Sequence, residues 1–160
     1  SRQFHKVLRR ALEIAVGAEP IDSLGHTNNA VYVGWCEAAA WRHSAALGIT
    51  IDDYRRLDRA MAIRRAEYDY QRPALLADKL LVSTWLTKCE KLNMERRFQI
   101  VRASDSATDS ATDSATDSAT DSATLLRGVW QLVCIEMSSG KLRRAPAEFL
   151  ETYGPAGRDS

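Results

Sequence analysis

Apolar residues recur at every second position near the start of the sequence. Leu8, Leu12, Ile14 and Val16 share one side of an extended chain, and Glu13 lies on the other side. A two-residue period is typical of a strand with one buried face. The pattern therefore predicts a half-buried first strand over residues 8–16.

A helical period replaces this alternation after residue 30. Between residues 30 and 47 the i, i+3, i+4, i+7 positions predict one buried face, made of Tyr32, Trp35, Cys36, Ala39, His43, Ala46 and Leu47. Gly48 follows where a glycine commonly ends a helix. The pattern predicts one long helix over residues 30–47. Thr50 and Asp53 then predict a capping box that opens a short second helix, which ends near Leu57.

Strand patterns account for most of the remaining sequence, over residues 60–70, 79–88, 94–102 and 125–137. The last of these is apolar on both faces, which predicts a central strand covered on both sides. A terminal turn of helix is predicted over residues 146–153, followed by a frayed tail over residues 154–160. Together the elements predict a single α+β domain that spans residues 1–160.

One segment has no such pattern. Residues 105–124 repeat the tetrapeptide Asp-Ser-Ala-Thr five times, and alanine is the only apolar residue in it. Ser, Asp and Thr favour turns over regular structure. The sequence therefore predicts a flexible acidic loop inserted at the tip of a hairpin. The alternative is a segment that recruits a partner or accepts phosphate on its serines.

Composition and charge restrict the class of protein. The chain has 160 residues, 45% hydrophobic and 27% charged, which are ordinary values for a globular domain that buries a core. A net charge of +1 argues against nucleic acid as a partner. The short apolar runs argue against a membrane span. The sequence before the first strand has no apolar targeting region, which predicts a cytoplasmic protein.

The cysteines and histidines indicate no metal site. Cys36, Cys89 and Cys134 are odd in number and widely spaced, which predicts buried reduced thiols and neither a disulfide framework nor a zinc site. The histidines lack the spacing of metal ligands. Cys36 and His43 share the predicted helix face, but seven residues separate them by about 10 Å, too far for a nucleophile and its base.

The most informative polar segment joins the first strand to the long helix, over residues 22–32. A helix N-terminus presents free backbone amides and the positive end of the helix dipole. Such amides can stabilise a developing oxyanion. Asp22 lies just upstream of them, and Gly25 allows the chain to turn between the two.

This segment resembles the signature of the 4-hydroxybenzoyl-CoA thioesterase-like branch of the hot-dog fold superfamily. The signature is an Asp, then Gly-His-x-Asn-Asn, then a Tyr that opens the central helix, present here as Asp22, residues 25–29 and Tyr32. Residues 68–78 resemble a second family segment, a Tyr, an Arg-Pro pair and an Asp that lead into the third strand. The resemblance extends over about residues 4–150.

The resemblance implies a curved, antiparallel five-stranded sheet wrapped around one long central helix. It also implies a homo-oligomer, either a dimer or a tetramer, with acyl-CoA bound where subunits meet and no cofactor beyond the coenzyme A of the substrate. The thioester carbonyl would accept hydrogen bonds from backbone amides around Asn29, Ala30 and Val31. Asp22 would act as nucleophile or as general base.

Several loop and helix residues have two interpretations. His26 either takes part in proton transfer or holds the turn by hydrogen bonds. Asn29 either orients water or the substrate carbonyl, or shares helix capping with Asn28. Tyr32 either packs against the sheet or touches substrate. Glu37, about 12 Å along the helix from Asn29, is a second candidate base, because some branches of the superfamily use a helix carboxylate.

Four arginines are candidates for binding the phosphates of coenzyme A, because the guanidinium fork suits phosphate: Arg64, Arg65, Arg143 and Arg144. The alternative is ordinary surface charge. Together these observations predict an acyl-CoA thioesterase that acts on a fatty or aromatic acyl group. The alternatives are an acyl-carrier-protein thioesterase and, from a different class, a non-catalytic acyl-CoA binding module.

Overall fold

A computed structural model describes residues 9–19, 21–103 and 123–158 of the chain. Five strands form one antiparallel sheet in the order β1-β3-β4-β5-β2. Their bounds are β1 Arg9–Ala15, β2 Arg59–Tyr70, β3 Lys79–Cys89, β4 Asn93–Arg102 and β5 Thr124–Glu136. All five strands predicted from the sequence are therefore present.

Three helices accompany the sheet: α1 Asn29–Leu47, α2 Ile51–Leu57 and α3 Ala147–Arg158. Gly48 ends α1 in the left-handed conformation, with φ of 100°, as the sequence predicts. The amide of Thr50 donates to Asp53 Oδ2 at 2.8 Å and completes the predicted capping box of α2. The predicted end of the terminal helix at Tyr153 is wrong, because α3 continues to Arg158 through most of the predicted frayed tail.

One face of the sheet forms the core. One row of paired residues crosses all five strands: Leu12, Val82, Ile100, Leu126 and Tyr70. Side chains at every second position from this row point to the same face of the sheet. Helix α1 packs on this face over β3 and β1. The helix buries Tyr32, Cys36, Ala39, Ala40, His43 and Ser44. Ala46, predicted to be on the buried face, is exposed because it lies at the edge of that face.

A bulge in β2 sets which side chains meet the core. The register against β5 shifts between Ile63 and Arg65. Ile63 therefore faces inward before the bulge, and Tyr68 and Tyr70 face inward after it. The two-residue period of the strand is thus interrupted once without moving its apolar residues to the outer face.

Two further predictions need correction. Strand β5 lies between β4 and β2, so it is an interior strand but not the central one. Its outer face is only partly covered, as Val129 and Val133 show. Cys36 and Cys134 are buried free thiols as predicted, whereas Cys89 is only partly buried because it ends β3.

Strands β4 and β5 are antiparallel neighbours that end together. Val101 pairs with Thr124, and the Arg102 amide donates to the carbonyl of Ala123 at 2.9 Å. The connection that contains the repeat therefore joins two adjacent strand ends. Residues 105–122 of the predicted flexible loop lie outside the described residues.

Within the part of the chain that the structure describes, no helix has the length and apolar character needed to cross a bilayer.

Candidate active site

The segment before α1 folds as a small hairpin. Ile21 and Thr27 form an antiparallel bridge, and the amide of Asp22 donates to the carbonyl of His26 at 2.8 Å. Gly25 sits at the tip with φ of 80°, a conformation that side chains rarely adopt. The hairpin therefore places Asp22 opposite His26, three residues before the first residue of α1.

The Asp22 carboxylate is oriented by backbone amides. Its Oδ1 atom accepts hydrogen bonds from the amides of Leu24 at 2.9 Å and His26 at 3.1 Å. Its Oδ2 atom makes no hydrogen bond to any described residue. The side chain is exposed. The turn therefore fixes one oxygen and leaves the other available for chemistry. The His26 ring is also exposed, and the backbone of His26 helps to hold the turn.

Asn28 occupies two of the three amides that the family resemblance implies for binding a substrate carbonyl. Its side-chain oxygen accepts from the Ala30 amide at 3.0 Å, and its carbonyl accepts from the Val31 amide at 3.0 Å. Among the described residues, nothing accepts a hydrogen bond from the Asn29 amide. The Asn29 amide is therefore open to a carbonyl, whereas the Ala30 amide becomes open only if the Asn28 side chain moves.

Tyr32 connects the two motifs found in the sequence. It is 2% exposed, and its hydroxyl accepts a hydrogen bond from the Ala74 amide at 2.7 Å. Thr27 Oγ1 in turn donates to the Ala74 carbonyl at 2.9 Å. The segment after β2 is thereby fixed to the helix entrance. Tyr32 is therefore packed in the core, and its predicted contact with substrate stays a prediction.

Aromatic side chains extend from the helix entrance along the inner face. The Tyr70 ring lies 5.5 Å from that of Tyr32, and Tyr68 lies 6.3 Å from Tyr70. Trp130 Nε1 donates to the Tyr68 hydroxyl at 2.6 Å. Gly128 makes room for Tyr68, since a Cβ atom there would come within 3.1 Å of the Tyr68 ring. Tyr70, Tyr68 and Trp130 form what we term the aromatic track.

The aromatic track ends at a cavity of about 90 Å³ between α1 and the sheet. Glu37 and Trp41 of α1, Ile63 of β2 and Arg96 of β4 contribute to its walls. Glu37, Trp41 and Ile63 are exposed, so the cavity opens to the surface on this side. Glu37 lies at this opening and not at the helix entrance.

Arg96 is the residue of this region that sequence reasoning missed. It is not among the four arginines that the sequence predicts as candidates. A usable signal was present, because Met94, Phe98 and Ile100 follow a two-residue period that assigns Arg96 to the buried face. The structure shows Arg96 to be 2% exposed.

The four candidate arginines form two pairs on different segments of the chain. Arg64 and Arg65 line a groove of about 550 Å³ on the outer face of the sheet, which Lys88 also lines. Arg143 forms an ion pair with Glu136, 3.4 Å away. The Arg143 amide donates to the carbonyl of Cys134 at 3.0 Å, so Arg143 and the exposed Arg144 lie beside the end of β5, next to Val133, which also lines the groove.

Cys36 does not fit a nucleophilic role. Burial raises the pKa of its thiol to about 12, so the thiol is protonated at neutral pH. The described parts of the chain also contain no group of three His, Cys, Asp or Glu side chains that could hold a metal ion.

One long helix on a curved antiparallel sheet, entered through a tight polar hairpin, defines a hot-dog fold protein. The chain belongs to the thioesterase-like superfamily, whose sequence model matches residues 16–152. The predicted fold and the resemblance to hot-dog thioesterases are therefore confirmed.

Solved structures with this fold include several proteins of known activity. A 1,4-dihydroxy-2-naphthoyl-CoA thioesterase from Synechocystis has a TM-score of 0.71 at 20% identity, covering 94% of this chain and 96% of its own. A 12:0-ACP thioesterase from Umbellularia californica has a TM-score of 0.73 at 17% identity, over 93% of this chain and 50% of its own. A Staphylococcus aureus protein in complex with CoA has a TM-score of 0.76 at 12% identity, covering 94% of this chain and 84% of its own. At these identities the similarity establishes the fold.

Proposed function

We propose that this protein hydrolyses a fatty or aromatic acyl-CoA thioester to a free acid and coenzyme A at the entrance of α1. The observation that carries this proposal is the Asp22 carboxylate, which two backbone amides orient in the hairpin that leads into α1. Membership in the thioesterase-like superfamily supports the reaction class. The acyl-CoA and ACP thioesterases among the structural neighbours support the type of substrate.

The thioester carbonyl would accept a hydrogen bond from the Asn29 amide. If the Asn28 side chain moves, the Ala30 amide would donate a second one, so that both stabilise the negative charge that develops on oxygen. Asp22 Oδ2 would then either attack the carbonyl carbon or remove a proton from an attacking water molecule. In the first route the carbon–sulfur bond breaks as an acyl-aspartyl anhydride forms, and water then hydrolyses this anhydride to the free acid and restores the Asp22 carboxylate. In the second route the water oxygen bonds to the carbonyl carbon and the carbon–sulfur bond breaks, which gives the free acid directly. In both routes the coenzyme A thiolate leaves and takes up a proton.

The coenzyme A phosphates would bind arginine side chains at the protein surface. Arg64 and Arg65 are the better candidates because they line a groove together with Lys88. Arg143 is less suited, because Glu136 already neutralises part of its charge. Arg144 lies beside Arg143 and remains a weaker candidate. His26 and Gly25 would shape the loop that receives the thioester.

Strand β2 supports the proposal of a homo-oligomer. It is an edge strand of twelve residues, and Ile63 and Tyr70 on it are 46% and 45% exposed. A long edge strand with exposed apolar residues is a surface on which another chain can extend the sheet. A second copy of this chain would also cover the open side of the cavity. Light scattering that gave the mass of a single 17.8 kDa chain would contradict this.

The direct test is thiol release from short, medium, long and aromatic acyl-CoA substrates, with the matching acyl-carrier-protein thioesters assayed in parallel. We expect turnover of free acyl-CoA, with equal amounts of acid and thiol formed. Turnover restricted to the carrier-protein thioesters would favour the alternative, which the Umbellularia californica neighbour supports. Absence of turnover of both would contradict the proposal.

The repeat is expected to be dispensable for this activity. Deletion of residues 109–124 leaves one copy of the tetrapeptide, with Thr108 in the place of Thr124 at the start of β5. Because the cost of loop closure grows only logarithmically with length, the free energy of unfolding should change by about 1 kcal/mol. Denaturant unfolding and thiol release would check both points. Loss of hydrolysis in the folded deletion variant would show that the repeat has a function.

A further inference from the structure

A buried positive charge on the inner face of β4 has no acidic partner among the residues that the structure describes. Arg96 lies between Leu86 of β3 and Trp130 of β5 in the register of the sheet. Leu86 and Trp130 are buried, so Arg96 occupies a core position. Burial lowers the pKa of Arg96 to about 10, which still leaves the guanidinium charged at neutral pH.

The hydrogen bonds of Arg96 engage one guanidinium nitrogen and leave the other two available to a ligand. Its Nη1 atom donates to His43 Nδ1 at 2.8 Å and to Thr84 Oγ1 at 3.0 Å. Because arginine has no acceptor, His43 Nδ1 must be unprotonated in this contact. The Nε and Nη2 atoms of Arg96 make no hydrogen bond to the residues that the structure describes.

The groups around Arg96 do not neutralise it. No described carboxylate lies within ion-pair distance of it. Tyr54 and Tyr153 lie nearby, and their hydroxyls are 3.3 Å apart, but burial raises the pKa of Tyr54, so it stays neutral. A buried charge without a counter-ion costs free energy. An anion that enters the cavity would reduce this cost.

The position of the cavity suits the far end of an acyl group. Trp130, which lines the cavity, is four residues along β5 from Leu126, the partner of Tyr70 at the helix entrance. Four residues of strand span about 13 Å. An acyl group that starts at the Asn29 amide and follows the aromatic track would therefore end near Arg96. The cavity of about 90 Å³ has room for about three water-sized groups, which suits a carboxylate better than a whole acyl chain.

We propose that Arg96 binds a carboxylate at the far end of the acyl group, so that the preferred substrates are thioesters of dicarboxylic acids. This inference rests on the proposed thioesterase function. The Nε and Nη2 atoms of Arg96 would donate charge-assisted hydrogen bonds to that carboxylate. Glu37 at the cavity opening is exposed, so solvent and salt weaken its repulsion of the incoming group. Arg96 is then a specificity-determining residue.

Matched acyl-CoA pairs test the proposal. The pairs are hexanoyl and adipoyl, decanoyl and sebacoyl, and dodecanoyl and dodecanedioyl, together with the ω-hydroxy analogue of each length. Dissociation constants are measured on the Asp22→Asn protein, with and without Arg96→Met, and kcat/KM is measured on the protein with Asp22 intact. Arg97→Met is the control, because Arg97 is the neighbouring arginine on the outer face, with a side chain 49% exposed.

We expect the carboxylate-ended thioester of the best length to bind about tenfold or more tightly than its methyl-ended partner. Arg96→Met should abolish this ratio, Arg97→Met should preserve it, and Arg96→Lys should retain part of it. If Arg96→Met does not fold, the ratio of the dissociation constants for the methyl-ended and carboxylate-ended thioesters is compared between the protein with native Arg96 and Arg96→Lys. A smaller ratio in Arg96→Lys would support the proposal, and an equal ratio would contradict it.

Preference of the native protein for methyl ends would overturn the proposal, as would an unchanged ratio in Arg96→Met. An equal, Arg96-dependent preference for the ω-hydroxy analogues would also overturn it, in favour of a neutral polar end. An Arg96-dependent binding ratio without any hydrolysis would support the carboxylate site and contradict the thioesterase proposal, so the two failures are distinguishable.

Discussion

Replacing Asp22 by Asn is expected to reduce kcat/KM for acyl-CoA hydrolysis by about 10² to 10⁴-fold, the usual contribution of a positioned acid or base. The physical reason lies in the two oxygens of the side chain. Oδ1 is held by the amides of Leu24 and His26, and Oδ2 is the atom available for chemistry. Asparagine keeps the accepting oxygen and replaces the reactive oxygen by an amide nitrogen. Steady-state thiol release measures the effect.

The same geometry supplies a control for folding. Because asparagine can accept the same two backbone hydrogen bonds, the hairpin should persist and the Tm should stay close to that of the native protein. Asp52→Asn is a matched control, since Asp52 is an exposed residue in the first turn of α2 and lies outside the candidate site. Full activity in a folded Asp22→Asn protein would transfer the role of base to another group, and Glu37 would be the first candidate.

Replacing Tyr32 by Phe is expected to lower the free energy of unfolding by about 1–3 kcal/mol. The change removes the acceptor of the Ala74 amide, and Ala74 is fully buried, so no water can replace the lost partner. The same bond fixes the segment after β2 to the helix entrance. Catalysis should therefore fall as well, by up to about 10²-fold if the entrance shifts by about 1 Å. Denaturant unfolding and kcat/KM measure the two effects.

Tyr70→Phe is the matched control for this prediction. The Tyr70 hydroxyl is 3.4 Å from the carbonyl of Asn29, and the residue is 45% exposed, so water can replace the bond. We expect a change in the free energy of unfolding of less than about 0.5 kcal/mol for this variant. Equal losses in the two variants would contradict the role assigned to the Tyr32 hydroxyl.

Local signals in the sequence predicted the five strands and the two helices α1 and α2, but not the end of α3. The Asn28 side chain caps the start of α1, and Gly48 ends the helix in the left-handed conformation. The loop from Asp22 to Asn29 could be identified as the candidate site because a helix N-terminus presents free backbone amides and because the loop matches the signature of hot-dog thioesterases.

Features that depend on packing between distant residues were not predictable in this way. The β2 bulge is visible only against β5, since it is a shift in pairing and not in composition. The Asn28 side chain could cap the helix or leave its amides open, and only the folded geometry shows that it binds the Ala30 amide.

The central proposal is that Asp22 at the helix entrance cleaves an acyl thioester, and a single-turnover experiment tests it most directly. Excess native protein or Asp22→Asn is mixed with one acyl-CoA, and the bound thioester, free acid and thiol are quantified over time, which separates binding from chemistry. We expect the native protein to convert the bound thioester fully to acid and coenzyme A, while Asp22→Asn retains it intact. Equal cleavage by both proteins, or an intact thioester bound to both, would contradict the proposal.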